Sequence, residues 1–164
     1  MKDTELFQIA LGLLEPWQVV SSEFDVELGL LSIRLDFKAG AKFSCPDCQA
    51  SGPTHDTVEK RWRHLNFFQH KTELIARVPM VKCPKCGVRQ VQVPWARPDS
   101  GFTALFEAFC MTLAKDMPIM KIAELVEEYD TRIWRIVRHH VSEAREREDY
   151  SEVKELGVDE TSAI

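Results

Sequence analysis

Two Cys-Pro-x-Cys pairs carry the clearest chemistry in this sequence: Cys45-Pro46-Asp47-Cys48 and Cys83-Pro84-Lys85-Cys86, with 34 residues between them. A C-x-x-C turn aims both sulfurs at one point, and two such turns supply the four thiolates that close a tetrahedral zinc site. Gly87 follows the second pair and can take the positive φ that such a knuckle often requires, whereas the first pair has Gln49 there. Four thiolates leave no open position for water, so the expected zinc is structural. Zinc in such sites is held with about 10–16 kcal/mol of apparent free energy at neutral pH, so the module is expected to unfold without it.

Three other chemistries could use the same residues. Disulfides need an oxidising compartment, and the N-terminus Met1-Lys2-Asp3-Thr4-Glu5 lacks a signal-peptide charge pattern. A thioredoxin-like motif needs one pair at a strand-to-helix junction, and both pairs lie among strand-like segments. An iron–sulfur cluster could take four cysteines, but the knuckle-and-hairpin pattern favours zinc. Cys110 falls on a helical apolar stripe and reads as a small buried hydrophobe. His55, His64 and His70 lie between the pairs, where surface or supporting roles are expected with four cysteines already present.

A second candidate site is a row of arginines. Arg132, Arg135 and Arg138 recur every three residues, opposite Ile133 and Val137. A helix entering the major groove would turn this row toward base edges and phosphates. Trp134 lies between the two faces, His139 is placed to touch phosphate, and His140 falls on the inward side. Lys60, Arg61, Arg63 and Lys71 are weaker candidates for DNA contact on the strands between the cysteine pairs. The bland alternative is a solvated arginine face.

The elements that must position these residues follow from periodicity. Residues 3–14 read as a short helix and Trp17–Ser22 as a strand. Val26, Leu28 and Leu30, then Ile33, Leu35 and Phe37, alternate on either side of Gly29 as antiparallel strands. Arg61–Phe68 and Thr72–Val81 fit a hairpin, with Thr72, Leu74, Ala76, Val78 and Met80 on one face, and Gln90–Val93 reads as a short strand. From Phe102 the period becomes helical: Phe102, Phe106, Phe109, Leu113 and Met117 make one stripe. Pro118 suits the first turn of a second helix, which buries Ile119, Ile122, Ala123 and Val126. Asp130 or Thr131 can cap a third, with Ile133, Ile136, Val137, Val141 and Ala144 inward. Three short helices with tight connections suit a helix-turn-helix, although Glu127 and Glu128 stand where glycine and an apolar residue are common.

The formal net charge of −5 argues against nucleic acid until it is divided along the chain. Residues 42–100 hold ten Lys/Arg against five Asp/Glu, and residues 131–147 hold five against two. Binding depends on the field within about one Debye length, roughly 8–10 Å, so two basic islands can act despite the total. No apolar run approaches the roughly 20 residues a spanning helix needs, so no membrane partner is expected and a cytoplasmic location is.

In order along the chain stand Trp62-Arg63-His64-Leu65, the knuckle Val78-Pro79-Met80-Val81-Lys82-Cys83-Pro84-Lys85-Cys86-Gly87-Val88, and Pro94-Trp95-Ala96. Phe102-Thr103-Ala104-Leu105-Phe106-Glu107, Trp134-Arg135-Ile136-Val137 and Leu156-Gly157-Val158-Asp159-Glu160-Thr161 follow. With the first cysteine pair, these motifs resemble the N-terminal part of transposases of ISL-three-type insertion sequences, over essentially the whole chain. The resemblance implies recognition of double-stranded DNA at terminal inverted repeats, and leaves self-association open. It also implies a ribonuclease-H-like domain with an Asp-Asp-Glu triad that binds divalent metal such as magnesium in full-length relatives. Asp159 would be the first acid of that triad. One acid cannot position two metals, so this chain by itself is not expected to be an enzyme.

The expected architecture is α+β. An N-terminal helix and β-hairpin (1–41) precede a zinc ribbon (42–94), a linker (95–101), a three-helix helix-turn-helix bundle (102–147) and the truncated start of a ribonuclease-H-like domain (148–164). The expected function is the DNA-binding portion of a transposase. A rival reading is a zinc-ribbon protein-interaction or regulatory module without specific DNA binding, and a third, an active nuclease, would need carboxylates from another chain.

Overall fold

One long strand, His70–Cys83, organises the N-terminal half of the computed structural model, which describes residues 2–155 and Gly157. Helix α1 (Asp3–Ala10) comes first, then β1 (Trp17–Asp25), β2 (Leu30–Phe37), β3 (Phe43–Ser44), β4 (Ser51–Gly52), β5 (Thr54–Phe67), β6 (His70–Cys83) and β7 (Gly87–Gln90). The main sheet runs β1-β2-β6-β5. β5 and β6 form a long antiparallel hairpin, and β7 pairs antiparallel with β6 from Met80 to Cys83. β2 pairs with β6 in parallel, Leu30 opposite Lys71 through Leu35 opposite Ala76. With β5 on one side of β6, β2 and then β7 occupy the other.

Alternation explains why β6 is central. Leu74, Ala76 and Val78 are fully buried on one face, and Ile75 is buried on the other. The core on the first face joins Trp17, Ile33, Leu35, Phe43, Trp62, Val81 and Trp95. Trp95 is its hinge point, edge-on to Trp17 at 4.8 Å and to Trp62 at 5.6 Å between ring centroids. The residues expected as a linker are therefore part of this unit. Arg63 N–H donates to Gly101 O at 2.9 Å, Thr103 N–H to Arg63 O at 3.0 Å and Ala104 N–H to Trp95 O at 2.8 Å, so the stretch adds to the free edge of β5.

Several elements differ from the sequence expectation. Helix α1 ends at Ala10, because Gly12 takes a positive φ of 61°. Val26 and Leu28 are exposed in the turn between β1 and β2, so the hairpin pairs Trp17–Asp25 with Leu30–Phe37. Their alternation with Leu30 is a turn that happens to be apolar. The short strand after the second cysteine pair is Gly87–Gln90, earlier than Gln90–Val93.

The chain divides into two compact units, Met1–Phe109 and Cys110–Ile164, and helix α2 (Ala104–Leu113) runs across the division. Phe106, Glu107 and Cys110 are buried on α2, whereas Phe109 is exposed. The expected stripe placed Phe109 inward; the buried side instead carries Thr103, Phe106, Glu107 and Cys110, and at about 100° per residue Phe109 lies about 60° from Phe106 and about 100° from Cys110. In the second unit, α3 (Ile119–Val126) buries Ile122, Ala123 and Val126, and α4 (Asp130–Glu146) buries Ile133 and Ile136. Val141, expected inward, is exposed. The described residues include no helix long and apolar enough to cross a membrane. The expected strand around Asp159 lies outside the described residues.

Candidate metal centre and nucleic-acid interface

The first cysteine knuckle is a miniature hairpin. Phe43 and Ser44 pair with Gly52 and Ser51, and Cys45 N–H donates to Ala50 O at 2.9 Å. Gln49 N–H donates back to Cys45 O at 2.9 Å, and Gln49 takes φ 61°. The second knuckle joins β6 to β7, with Gly87 at φ 77°. Both turns thus have the same left-handed residue after the second cysteine, and Gln49 adopts it despite its Cβ. Asp47 ties the first knuckle to β7 through an ion pair with Arg89 Nε at 2.6 Å.

These turns bring Cys45, Cys48, Cys83 and Cys86 together, with all four Sγ atoms within 4.8 Å of one another. Sulfurs around one tetrahedral zinc stand about 3.8 Å apart, given Zn–S bonds of about 2.3 Å. None of the four is in a disulfide; Cys48 Sγ and Cys83 Sγ lie 3.4 Å apart, far beyond the disulfide bond length of about 2.05 Å. The backbone N–H of Cys86, then that of Lys85, points at Cys83 and holds its thiol down at about 6. Cys86 is pushed up to about 12, first by its hydrogen bond to Cys48 and then by burial and the other sulfurs. Crowded thiols of this kind must share protons, and a dication in their midst relieves the conflict. The donor set fits structural zinc, which when bound would cross-link the two knuckles.

The arginine row divides on α4. Arg132 is half-buried, and its guanidinium bonds to Glu128 at 2.5 Å. Arg135 and Arg138 are exposed, and no ion pair involves either among the described residues. Trp134 is 44% exposed, with the Arg138 guanidinium 5.8 Å from its ring centre. His139 and His140 are half-buried beside Glu143. The turn before α4 is short: Glu127 takes φ 55° and ψ 47°, Glu128 N–H donates to Ala123 O at 3.0 Å, and Tyr129 is the N-cap. Glu127 thus occupies the conformation for which glycine is favoured.

The four cations on the ribbon strands fare differently from expectation. Arg63 is buried: it donates to His64 O, to Thr72 O at 3.2 Å and to Asn66 Oδ1 at 2.5 Å, and covers the Phe106 ring. Its charge is spent inside the unit, which removes it as a DNA contact. Arg61 is exposed but faces Glu73 at 3.3 Å and Glu59 at 3.7 Å. Lys60 and Lys71 are half-buried. Burial holds His64 down at about 4, with Arg63 adding to it, and its Nδ1 lies 2.9 Å from Thr103 Oγ1. Sequence reasoning passed over Glu107, 2% exposed and bound by Arg97 Nε at 2.9 Å and Ser100 Oγ at 2.5 Å. It also passed over Arg145, exposed near the end of α4. Glu107 lies off the apolar stripe read from Phe102, Phe106 and Phe109, so periodicity carried no signal for the first.

Residues 41–86 match the family described as zinc-finger of transposase IS204/IS1001/IS1096/IS1165, and residues 91–141 match the helix-turn-helix domain of transposase family ISL3. The chain is also 27% identical over 169 residues to the transposase for insertion sequence element IS1557 from two Mycobacterium tuberculosis strains, CDC 1551 / Oshkosh and ATCC 25618 / H37Rv.

The chain is similar to the N-terminal part of ISL3-type transposases.

The matching region covers 99% of the chain and 38% of the length of those curated relatives. No solved structure matches. The zinc-finger match ends at Cys86, so it contains all four cysteines. The helix-turn-helix match begins at Val91, in the stretch that packs Trp95 into the strand unit, and it includes the whole arginine row. Both matched regions thus fall on the α+β elements described above.

Proposed function

We propose that this chain is the DNA-binding portion of an insertion-sequence transposase and that it recognises the element's terminal inverted repeats. The observation that carries this reading is α4, a 17-residue helix after a short left-handed turn, with Arg135 and Arg138 exposed and Trp134 between them and the core. A helix in the major groove lets arginine pair bidentately with guanine O6 and N7, or hold a phosphate. Trp134 would stack on the sugar-phosphate chain and His139 would approach phosphate. Lys60, Arg61 and Lys71 rank below the helix, because they are half-buried or ion-paired.

In this reading residues 102–147 act as the helix-turn-helix module, 42–94 as the zinc ribbon and 95–101 as their connection. Residues 148–164 lead toward a ribonuclease-H-like domain in which Asp159 is the first acid. In this reading magnesium chemistry belongs to full-length relatives in which the triad is complete. A cytoplasmic location follows from the DNA substrate.

A mobility-shift assay with the element's own ends against scrambled duplex tests the proposal. Preferential shifting of the true ends, weakening steeply with salt, supports it. Equal binding to scrambled duplex defeats the terminal-repeat assignment. No shift at low salt defeats DNA binding and favours the protein-interaction module.

A further inference from the structure

A second group of metal-ligating side chains lies in the second unit, apart from the cysteines. His139, His140 and Glu143 each offer one ligand atom, and these atoms lie within 4.8 Å of one another. His139 Nε2 is 3.7 Å from Glu143 Oε2, and His140 Nδ1 is 4.0 Å from the same oxygen. The spacing has a helical cause. Residues three and four apart on a helix are neighbours on one face, so both histidines reach Glu143 from the turn before it. The two imidazole rings stand 5.1 Å apart at 69°, so they are not stacked and their nitrogens can converge.

We propose that His139, His140 and Glu143 form a second divalent-metal site on α4, of the class that takes zinc or a neighbouring transition ion. Two imidazoles and a carboxylate are borderline ligands suited to such ions. Zinc bonds to nitrogen and oxygen of about 2.0–2.2 Å place adjacent tetrahedral ligands about 3.4 Å apart, so each histidine closes on Glu143 with a shift of under about 1 Å. Three protein ligands leave one position open, in contrast to the closed thiolate centre. A dication here replaces the negative charge of Glu143 with net positive charge one residue beyond Arg138. The site does not depend on the DNA-binding proposal.

The test uses the full chain with its cysteine centre already filled by one equivalent of zinc. Further zinc, followed by calorimetry or a competing indicator dye, is expected to bind as a second, weaker equivalent. His139→Ala and Glu143→Gln should each weaken that equivalent by more than the roughly tenfold that losing an outer-shell partner costs. The first equivalent should stay unchanged. Cobalt in place of zinc gives a readout independent of any variant: the second equivalent should add no sulfur-to-metal charge-transfer band and should broaden the His139 and His140 ring resonances. A chain that takes up only one equivalent overturns the proposal. So does a second equivalent that carries the thiolate band, or one that neither substitution affects.

Discussion

Replacing Arg135 and Arg138 together by alanine tests whether the exposed part of the arginine row holds phosphates. Each phosphate neutralised on duplex DNA contributes about −0.9 to the slope of log affinity against log salt. If each arginine holds one phosphate, the double variant has a slope shallower by about 1.8. Between 50 and 200 mM salt, a fourfold change, the deficit of the variant relative to the unmodified chain then shrinks about twelvefold. Arg132→Ala is the internal control. Arg132 already pairs with Glu128 at 2.5 Å, so its charge is partly neutralised before DNA arrives. Its loss should change the slope by clearly less than 0.9. Fluorescence anisotropy with a labelled terminal-repeat duplex at four salt concentrations measures all three slopes. The reasoning fails if the double variant keeps the original slope, or if Arg132→Ala changes it as much as Arg135→Ala does.

Chelating the zinc, or Cys48→Ser, should empty the cysteine centre and unfold the strand unit, since about 10–16 kcal/mol of metal binding is coupled to folding in such sites; circular dichroism with a zinc indicator dye reads both events. Glu127→Gly should raise stability by about 0.5–1 kcal/mol in thermal denaturation, because the 1–2 kcal/mol strain of a left-handed residue exceeds the added chain entropy of glycine. His64 is held at about 4 when folded against the ordinary histidine value of 6.5, so it binds fewer protons than the unfolded chain between those values. Its contribution is present above pH 6.5 and lost as pH falls toward 4, by about 1–2 kcal/mol once partial exposure is allowed for. His64→Asn should flatten that part of the urea-denaturation pH profile, measured with dye present to show that zinc stays bound.

The metal centre was legible because its geometry is local: two C-x-x-C turns each fix their own sulfurs, and the two long strands β5 and β6 bring the turns together. The helix-turn-helix was legible in helix count and in the burial of Ile122, Val126, Ile133 and Ile136. Long-range pairing was not. Alternation in β2 is the same whichever strand lies beside it, so the parallel β2–β6 contact has no signature in either segment. Arg63 read as surface because arginine is rarely buried, and the Phe106 ring and carbonyls that receive it come from distant parts of the chain or from the fold of the hairpin. Gln49 and Glu127 hid two left-handed turns by not being glycine.

The acidic turn has a graded influence along α4. A helix rises about 1.5 Å per residue, so Arg135 lies about 4.5 Å and Arg138 about 9 Å further along the axis than Arg132. With a Debye length of about 8 Å at physiological salt, Glu127 and Glu128 act strongly on Arg132 and weakly on Arg138. If α4 meets DNA as proposed, phosphate binding would be discouraged at the start of the helix and left intact further along it. Under the proposed DNA-binding reading, this arrangement would reduce the electrostatic part of binding, which is indifferent to sequence, and leave Arg135 and Arg138 free to read bases. Glu128→Gln should therefore free Arg132 and strengthen binding to scrambled duplex more than to the true ends. If both affinities rise by the same factor, the turn acids have no part in specificity.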